Sequence, residues 1–237
     1  MSGIGFSTGS VARSDVRRAL RLLEPHATDA VELSALRTHE LAPLLGLISD
    51  LVLHEYRHVS VHAPSAFTAA EEPGIAAALR PVAELGWLVV VHPDTLHDHR
   101  LWAGFGDRLC IENMDRRKPV GRTVRELAPV FARLPQASFC FDVAHARQCD
   151  PSMSEAFRLL DAFHDRLAEV HVSELDAHSR HVRLSPAGVW ASQQVADLIP
   201  LDIPVIIEAP VKPDEIDAEL EASLEALGRL VGVPCAA

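Results

Sequence analysis

Residues able to bind a metal ion recur at one kind of place in this 237-residue chain. The run VSVH ends in His62, VVVH in His92, CIE in Glu112 and FCFD in Asp142, with His145 three residues further on. EVH carries His171, VIIE ends in Glu208, and between these two lies HSRH, with His178 and His181. A single histidine at a strand end is commonly a hydrogen-bonded loop residue, and a lone buried glutamate commonly pairs with an arginine. Successive apolar runs that all end in an imidazole or a carboxylate are not accounted for that way. Gathered in one place, so many acids would be costly through desolvation and mutual repulsion, and divalent cations would remove that cost. A mixed His/Asp/Glu donor set suits Zn, Mn or Fe better than Ca or Mg.

The elements that must position these residues follow from the hydrophobic pattern. Short, nearly continuous apolar runs at 3–6, 30–33, 58–62, 87–92, 109–112, 139–142, 168–172 and 205–208 read as strands buried on both faces, as in parallel sheets. Helical patterns separate them, at 15–23 with Ser14 as N-cap, at 40–53 after Thr38, and at 74–85 opened by Pro73. Further helices are expected at 124–134, where Thr123 and Glu126 form a capping-box pattern, and at 153–163, 189–198 and 214–231. Between 92 and 109 the segment is short and contains glycine, enough for a turn or two of helix. Eight alternations of strand and helix imply right-handed βαβ units closing into an α/β fold of one domain, a (β/α)8 TIM barrel over residues 1–237. In such a barrel the C-terminal strand ends converge on one face, so the metal site is expected there.

The formal net charge of −11 repels polyanions at long range and argues against nucleic acid as a partner. Arg116, Arg117, Lys118 and Arg122 could meet one phosphate group but are too few to track a duplex. Cys110, Cys140, Cys149 and Cys235 form no CxxC pair, and Cys110 and Cys140 sit in apolar runs as small core residues. A cytoplasmic protein is expected, with no membrane span. GFSTGS near the N-terminus lacks the Lys-Ser/Thr pair of a P-loop. His26, His39, His54, His97, His99 and His164 read as surface residues of helices and loops.

The segments VSVHAP, VVVHPD, IENMD, FDVAHA, EVHVSELD, SRHVRL and IIEAP resemble, in order and spacing, the xylose isomerase-like barrel superfamily. Two branches compete. In the sugar isomerases and epimerases one metal is held by Glu, Asp, His and Glu on four late strands, which Glu112, Asp142, His171 and Glu208 match. That resemblance implies proton transfer beside a metal-bound substrate, with Glu112 and Glu208 as the two carboxylates, although Lys118 lies in the stretch where a further glutamate is common. The other branch is similar to endonuclease IV, in which additional histidines bind further metal. His62 and His92 match those, Glu112 would bridge two ions, and His145 with His181 would hold a third. The Asp-x-His element of that third site reads Ser179-Arg180-His181 here, which weakens it. The resemblance therefore implies two divalent ions, with a third only weakly supported. The expected function is phosphoester hydrolysis on a small substrate, phosphorylated compounds among the candidates. Glu112, Glu208 and Arg180 would be the catalytic groups, with Arg180 neutralising a phosphate. DNA repair is not supported by the short chain and its charge. An isomerase or epimerase, an iron-dependent oxidase on a related barrel, and a non-catalytic degenerate barrel stand as alternatives.

Overall fold

A computed structural model describes residues 3–229. In chain order the strands are β1 (Ile4–Ser7), β2 (Ala30–Ser34), β3 (His58–His62), β4 (Leu88–Val91), β5 (Leu109–Glu112), β6 (Ser138–Asp142) and β7 (Leu167–Val172), then a small hairpin of β8 (Glu174–Leu175) and β9 (His181–Val182), and β10 (Val205–Ile207). Eight of them close a parallel barrel in the order β1-β10-β7-β6-β5-β4-β3-β2, so the chain winds once round and β10 zips to β1. This is the expected (β/α)8 architecture, and each strand falls within a residue or two of its apolar run. The first seam is unusually close. A Cβ on Gly5 would lie 1.7 Å from the backbone oxygen of Ala30, so only glycine fits between β1 and β2.

The helices around the barrel are α1 (Thr8–Ala12), α2 (Val16–Leu23), α3 (Thr38–Leu47), α4 (Glu72–Glu84), α5 (Val124–Arg133), α6 (Val143–Cys149), α7 (Ser154–Phe163), α8 (Pro186–Gln193) and α9 (Ile216–Ala226). Two were not expected from the sequence: α1 and α6 are each a turn or two long, too short to show a period. The cap of α2 is Asp15, whose carboxylate accepts from the Arg18 amide, and not Ser14. Thr123 caps α5 as expected, but Glu126 turns its carboxylate to Arg122 instead of closing the box. Three 3-10 turns fill the segment between β4 and β5, and α3 stops at Leu47 before another. The expected end of the last helix, like Cys235, lies outside the described residues.

Large apolar side chains such as Phe6, Leu33, Leu79, Trp102, Phe139 and Leu159 are fully buried between sheet and helices. A separate small cluster, Leu88, Val90, Cys110 and Cys140, lies apart from that layer. Side chains alternate along a strand, so Cys110 and Cys140 share the inward face with Glu112 and Asp142, two residues on. Among the described residues no helix is long and apolar enough to cross a membrane.

Candidate metal centre

The strand termini bring the expected ligands together. His62, His92 and Glu112 place one donor atom each within 4.8 Å of the others, and so do Glu112, Asp142, His171 and Glu208. The first three are buried, as are Asp142 and His171, and Glu208 is half-buried. Glu112 belongs to both groups. Its Oε2 lies 3.3 Å from His62 Nε2 and 3.1 Å from His92 Nε2, while its Oε1 lies 3.4 Å from His171 Nδ1 and 3.4 Å from His145 Nδ1. His171 Nδ1 is also 3.6 Å from Glu208 Oε2.

Local structure fixes several of these side chains. His62 Nδ1 donates to the Ala63 carbonyl at 2.6 Å, which turns its Nε2 inward. Asn113 straddles β5 and β6: its amide donates to the Asp142 carbonyl at 2.9 Å and its oxygen accepts from the Asp142 N–H at 2.8 Å. The Asn113 carbonyl also accepts from His145 Nδ1 at 2.8 Å. Asp142 caps α6 by accepting from the His145 amide, which explains why these two residues, three apart, sit together on a helix start.

Around this ring several buried polar atoms make no hydrogen bond: His92 Nδ1, Asp142 Oδ2, His171 Nδ1 and Glu208 Oε2. Buried polar atoms are nearly always paired, so a cluster of orphans on one surface calls for a partner of another kind. Charge adds to this. Burial pushes Glu112 up, but the neighbouring imidazoles of His171, His62 and His92 hold it well below the ordinary carboxylate range. Burial pushes Asp142 up to about 8, only partly opposed by His145. Burial pushes Glu208 up as well, and His171 and His181 return it far below its ordinary value. Burial lowers His62, yet Glu32 and Glu112 raise it to about 9. The protein alone thus offsets its clustered acids in part with the raised His62, while burial lowers His92 and His181. A divalent ion would do the same with closer geometry, and the donor set and the orphaned atoms fit one.

The third expected group is not assembled in the same way. His145 and His181 face each other at 5.5 Å between ring centroids, and His181 Nδ1 lies 2.8 Å from Ser173 Oγ and 3.6 Å from Glu208. Among the described residues no third trio of donors includes them. Ser179, at φ 55° in the β8–β9 turn, donates its hydroxyl to Gln148 Oε1 instead of facing the ring. Asp176 is occupied by the His178 and Arg180 amides and the Arg180 guanidinium, and His178 is exposed.

Beneath the ring lies a layer that the sequence reading missed. His171 Nε2 is 2.9 Å from Glu169 Oε1 and 3.4 Å from Glu32, and Glu169 Oε2 is hydrogen-bonded to His58 Nε2. Glu32 and Glu169 are fully buried. The available signal was alternation, since Glu169 stands two residues before His171 and so faces the same way. Cys140 with Glu169 and His171 also brings three donors close together.

The ring opens into a cavity of about 390 Å³. Ser10, Ser65, Arg117, Lys118, Arg180 and Pro210 are among the residues on its walls. Arg180 lies at the rim with a 72% exposed side chain, paired with Asp176.

No family model and no curated protein matches the chain. Solved structures do. Endonuclease IV from Thermus thermophilus superposes with a TM-score of 0.62 at 21% identity, covering 95% of this chain and 99% of that one. SacUVDE gives 0.54 at 14% identity, over 90% of this chain and 86% of that one. An Anabaena variabilis protein assigned to the sugar phosphate isomerases/epimerases gives 0.57 at 14%, over 93% and 88%. With an endonuclease among these neighbours, the expectation drawn from net charge that nucleic acid is no partner finds no support. The chain thus shares its closed eight-stranded barrel fold with endonuclease IV, SacUVDE and the sugar phosphate isomerase/epimerase neighbour.

Proposed function

We propose that the protein is a metal-dependent phosphoesterase acting on a small substrate, with a two-ion centre. His62, His92 and Glu112 would hold one ion, and Glu112, Asp142, His171 and Glu208 the other. The observation that carries this reading is the division of labour within Glu112, whose two oxygens face different histidine pairs. When bound, two such ions supply an activated water and a clamp on the attacking and leaving oxygens of a phosphate ester. The chain's own part is to hold Glu112 and Glu208 ionised among imidazoles, to keep the ring under a small cavity, and to line the cavity mouth with cations. Arg180 and Arg117 stand at that mouth for the outer oxygens of a phosphate, and His145 and His181 border it for substrate or for a weak third ion.

An isomerase or epimerase is the second reading, because Glu112, Asp142, His171 and Glu208 alone form a complete one-metal set. Against it, Lys118 stands in the stretch where the isomerase resemblance leads one to expect a further glutamate. Metal analysis and a substrate screen separate the two. The expected result is two ions of Zn, Mn or Fe per chain, phosphate release from small mono- or diesters, and loss of both the second ion and the hydrolysis in His62→Ala. One ion per chain, with carbonyl isomerisation intact in His62→Ala, would sink the phosphoesterase reading. An abasic oligonucleotide in the same screen tests nucleic acid directly.

A further inference from the structure

Lys118 is not a surface lysine. Its side chain is 19% exposed and sits on the cavity wall beside His62, His92 and Glu112. The chain has only two lysines against twenty arginines, so its use here selects a compact ammonium over a planar fork. That ammonium donates to Asp94 Oδ2 at 2.9 Å and to the Ser65 carbonyl at 3.0 Å. An ammonium has three N–H donors, and among the described residues the third has no protein acceptor. Asp94 Oδ1, on the far side of the same ion pair, is buried and makes no hydrogen bond.

The backbone holds Lys118 in place. The loop after β5 is closed by the Met114 amide donating to the Gly121 carbonyl at 2.9 Å, with the Lys118 amide donating to the Asp115 carbonyl at 3.1 Å inside it. Gly121 has φ 100°, and a Cβ there would lie 2.5 Å from Pro93 Cγ and 2.9 Å from Met114 Cγ. The loop is thus pressed against the residues that follow His92. The other cations of the cavity differ. Arg117 spends its guanidinium on Asp115 and Arg180 on Asp176, and their side chains are 54% and 72% exposed.

From this we infer that Lys118 seats an anionic oxygen of the substrate beside the metal ring, and that the group it selects is a phosphate rather than a neutral polyol. The inference rests on the two-ion reading and deepens it. Glu112, Asp142 and Glu208 make the ring acidic, and Asp94, Asp115 and Asp176 already offset the three cations. An anion is therefore welcome only once divalent ions are in place. Lys118 then supplies a partly buried ammonium donor still open, while Asp94 keeps it from swinging out.

The test uses full-length protein labelled with 13C-lysine, which shows two side-chain signals, loaded with Zn and titrated with inorganic phosphate. The signal that is absent in Lys118→Met should move on phosphate addition, and the Lys212 signal should not. Lys118→Met should weaken phosphate binding by about tenfold or more, the size of one charge-assisted hydrogen bond, with zinc content unchanged. Gly121→Ala, which displaces the loop but keeps the ammonium, should weaken it as well. Xylitol should leave the Lys118 signal in place. Zinc uptake followed by phosphate binding without movement of the Lys118 signal, or with undiminished affinity in Lys118→Met, overturns the inference while leaving the metal centre standing. Movement with xylitol equal to that with phosphate overturns the choice of substrate class. No zinc uptake by the unmodified chain overturns the two-ion reading, and this one with it.

Discussion

Two clusters of histidine and glutamate occupy the barrel interior, one above the other. The upper ring at the strand ends leaves several buried atoms without hydrogen bonds. In the lower layer Glu169 uses both oxygens, one on His171 and one on His58. Residue types and burial are nearly the same in both. What differs is the extent of satisfaction: below, Glu169 is saturated by protein and Glu32 keeps one orphaned oxygen, whereas the upper ring leaves orphaned atoms on His92, Asp142, His171 and Glu208. A buried charge paired by its neighbours is part of the scaffold, whereas buried donors left unpaired mark a place built for something else. Cys140, Glu169 and His171 bring three donor atoms as close together as the ring does, yet Glu169 there reads as the carboxylate that holds the His171 imidazole in place.

Substitutions can break this contrast. The largest effect is expected for Glu112→Gln, which removes the carboxylate common to both groups. Metal affinity should fall by more than the ~10–100-fold that losing an outer partner costs. Isothermal titration with Zn or Mn measures this, and near-normal two-ion binding would show that Glu112 is not shared. Glu169→Leu should act first on the scaffold, destabilising the fold by about 3–5 kcal/mol because His58 and His171 lose their buried partner. Chemical denaturation reads it, and an unchanged midpoint would mean the lower layer contributes nothing.

The pH dependence of the metal-free protein is a third test. Burial holds Glu32 up at about 7 and Asp142 at about 8, while His62 stands at about 9, drawn up by Glu32 and Glu112 against its own burial. Groups raised in the folded state stabilise it below their unfolded values, and that stability is lost as pH rises through the folded ones. The metal-free melting temperature should therefore fall between about pH 5 and pH 9, by roughly 2–4 °C for each kcal/mol lost. Glu169, which burial pushes up but His171 and His58 pull down to about 2, has the opposite sign and matters only below its ordinary 4.5. Bound zinc should flatten the neutral-to-alkaline slope, and a slope unaffected by zinc would separate the ring from the metal. The smallest effect is expected for Ser179→Asp. Its hydroxyl faces Gln148 and not His181, so the number of ions per chain should stay the same. One more ion would show that the turn can swing toward the ring.

The barrel was legible because a strand buried on both faces leaves a continuous apolar run, and eight such runs survive in the sequence. The upper ring was legible for a related reason: a polar residue closing an apolar run is conspicuous, as in VIIE and VVVH. Glu32 and Glu169 were harder to see because they stand inside their strands, where one charged residue reads as an interruption rather than a layer. The short helices α1 and α6 carry less than two full turns, too few for a period to emerge. The orientation of Ser179 depends on a single left-handed residue in a hairpin turn, which no spacing rule encodes.

The placement of Glu112 has a consequence for how the centre fills. One side chain cannot reorient toward His62 and His92 without changing what it offers His145 and His171. If two ions share Glu112 as proposed, occupancy on one side must alter affinity on the other, and thermodynamic linkage makes that influence reciprocal. Loading curves should be cooperative or anticooperative, not the sum of two independent isotherms, and the sign will tell whether Glu112 is preorganised by its first partner or spent by it.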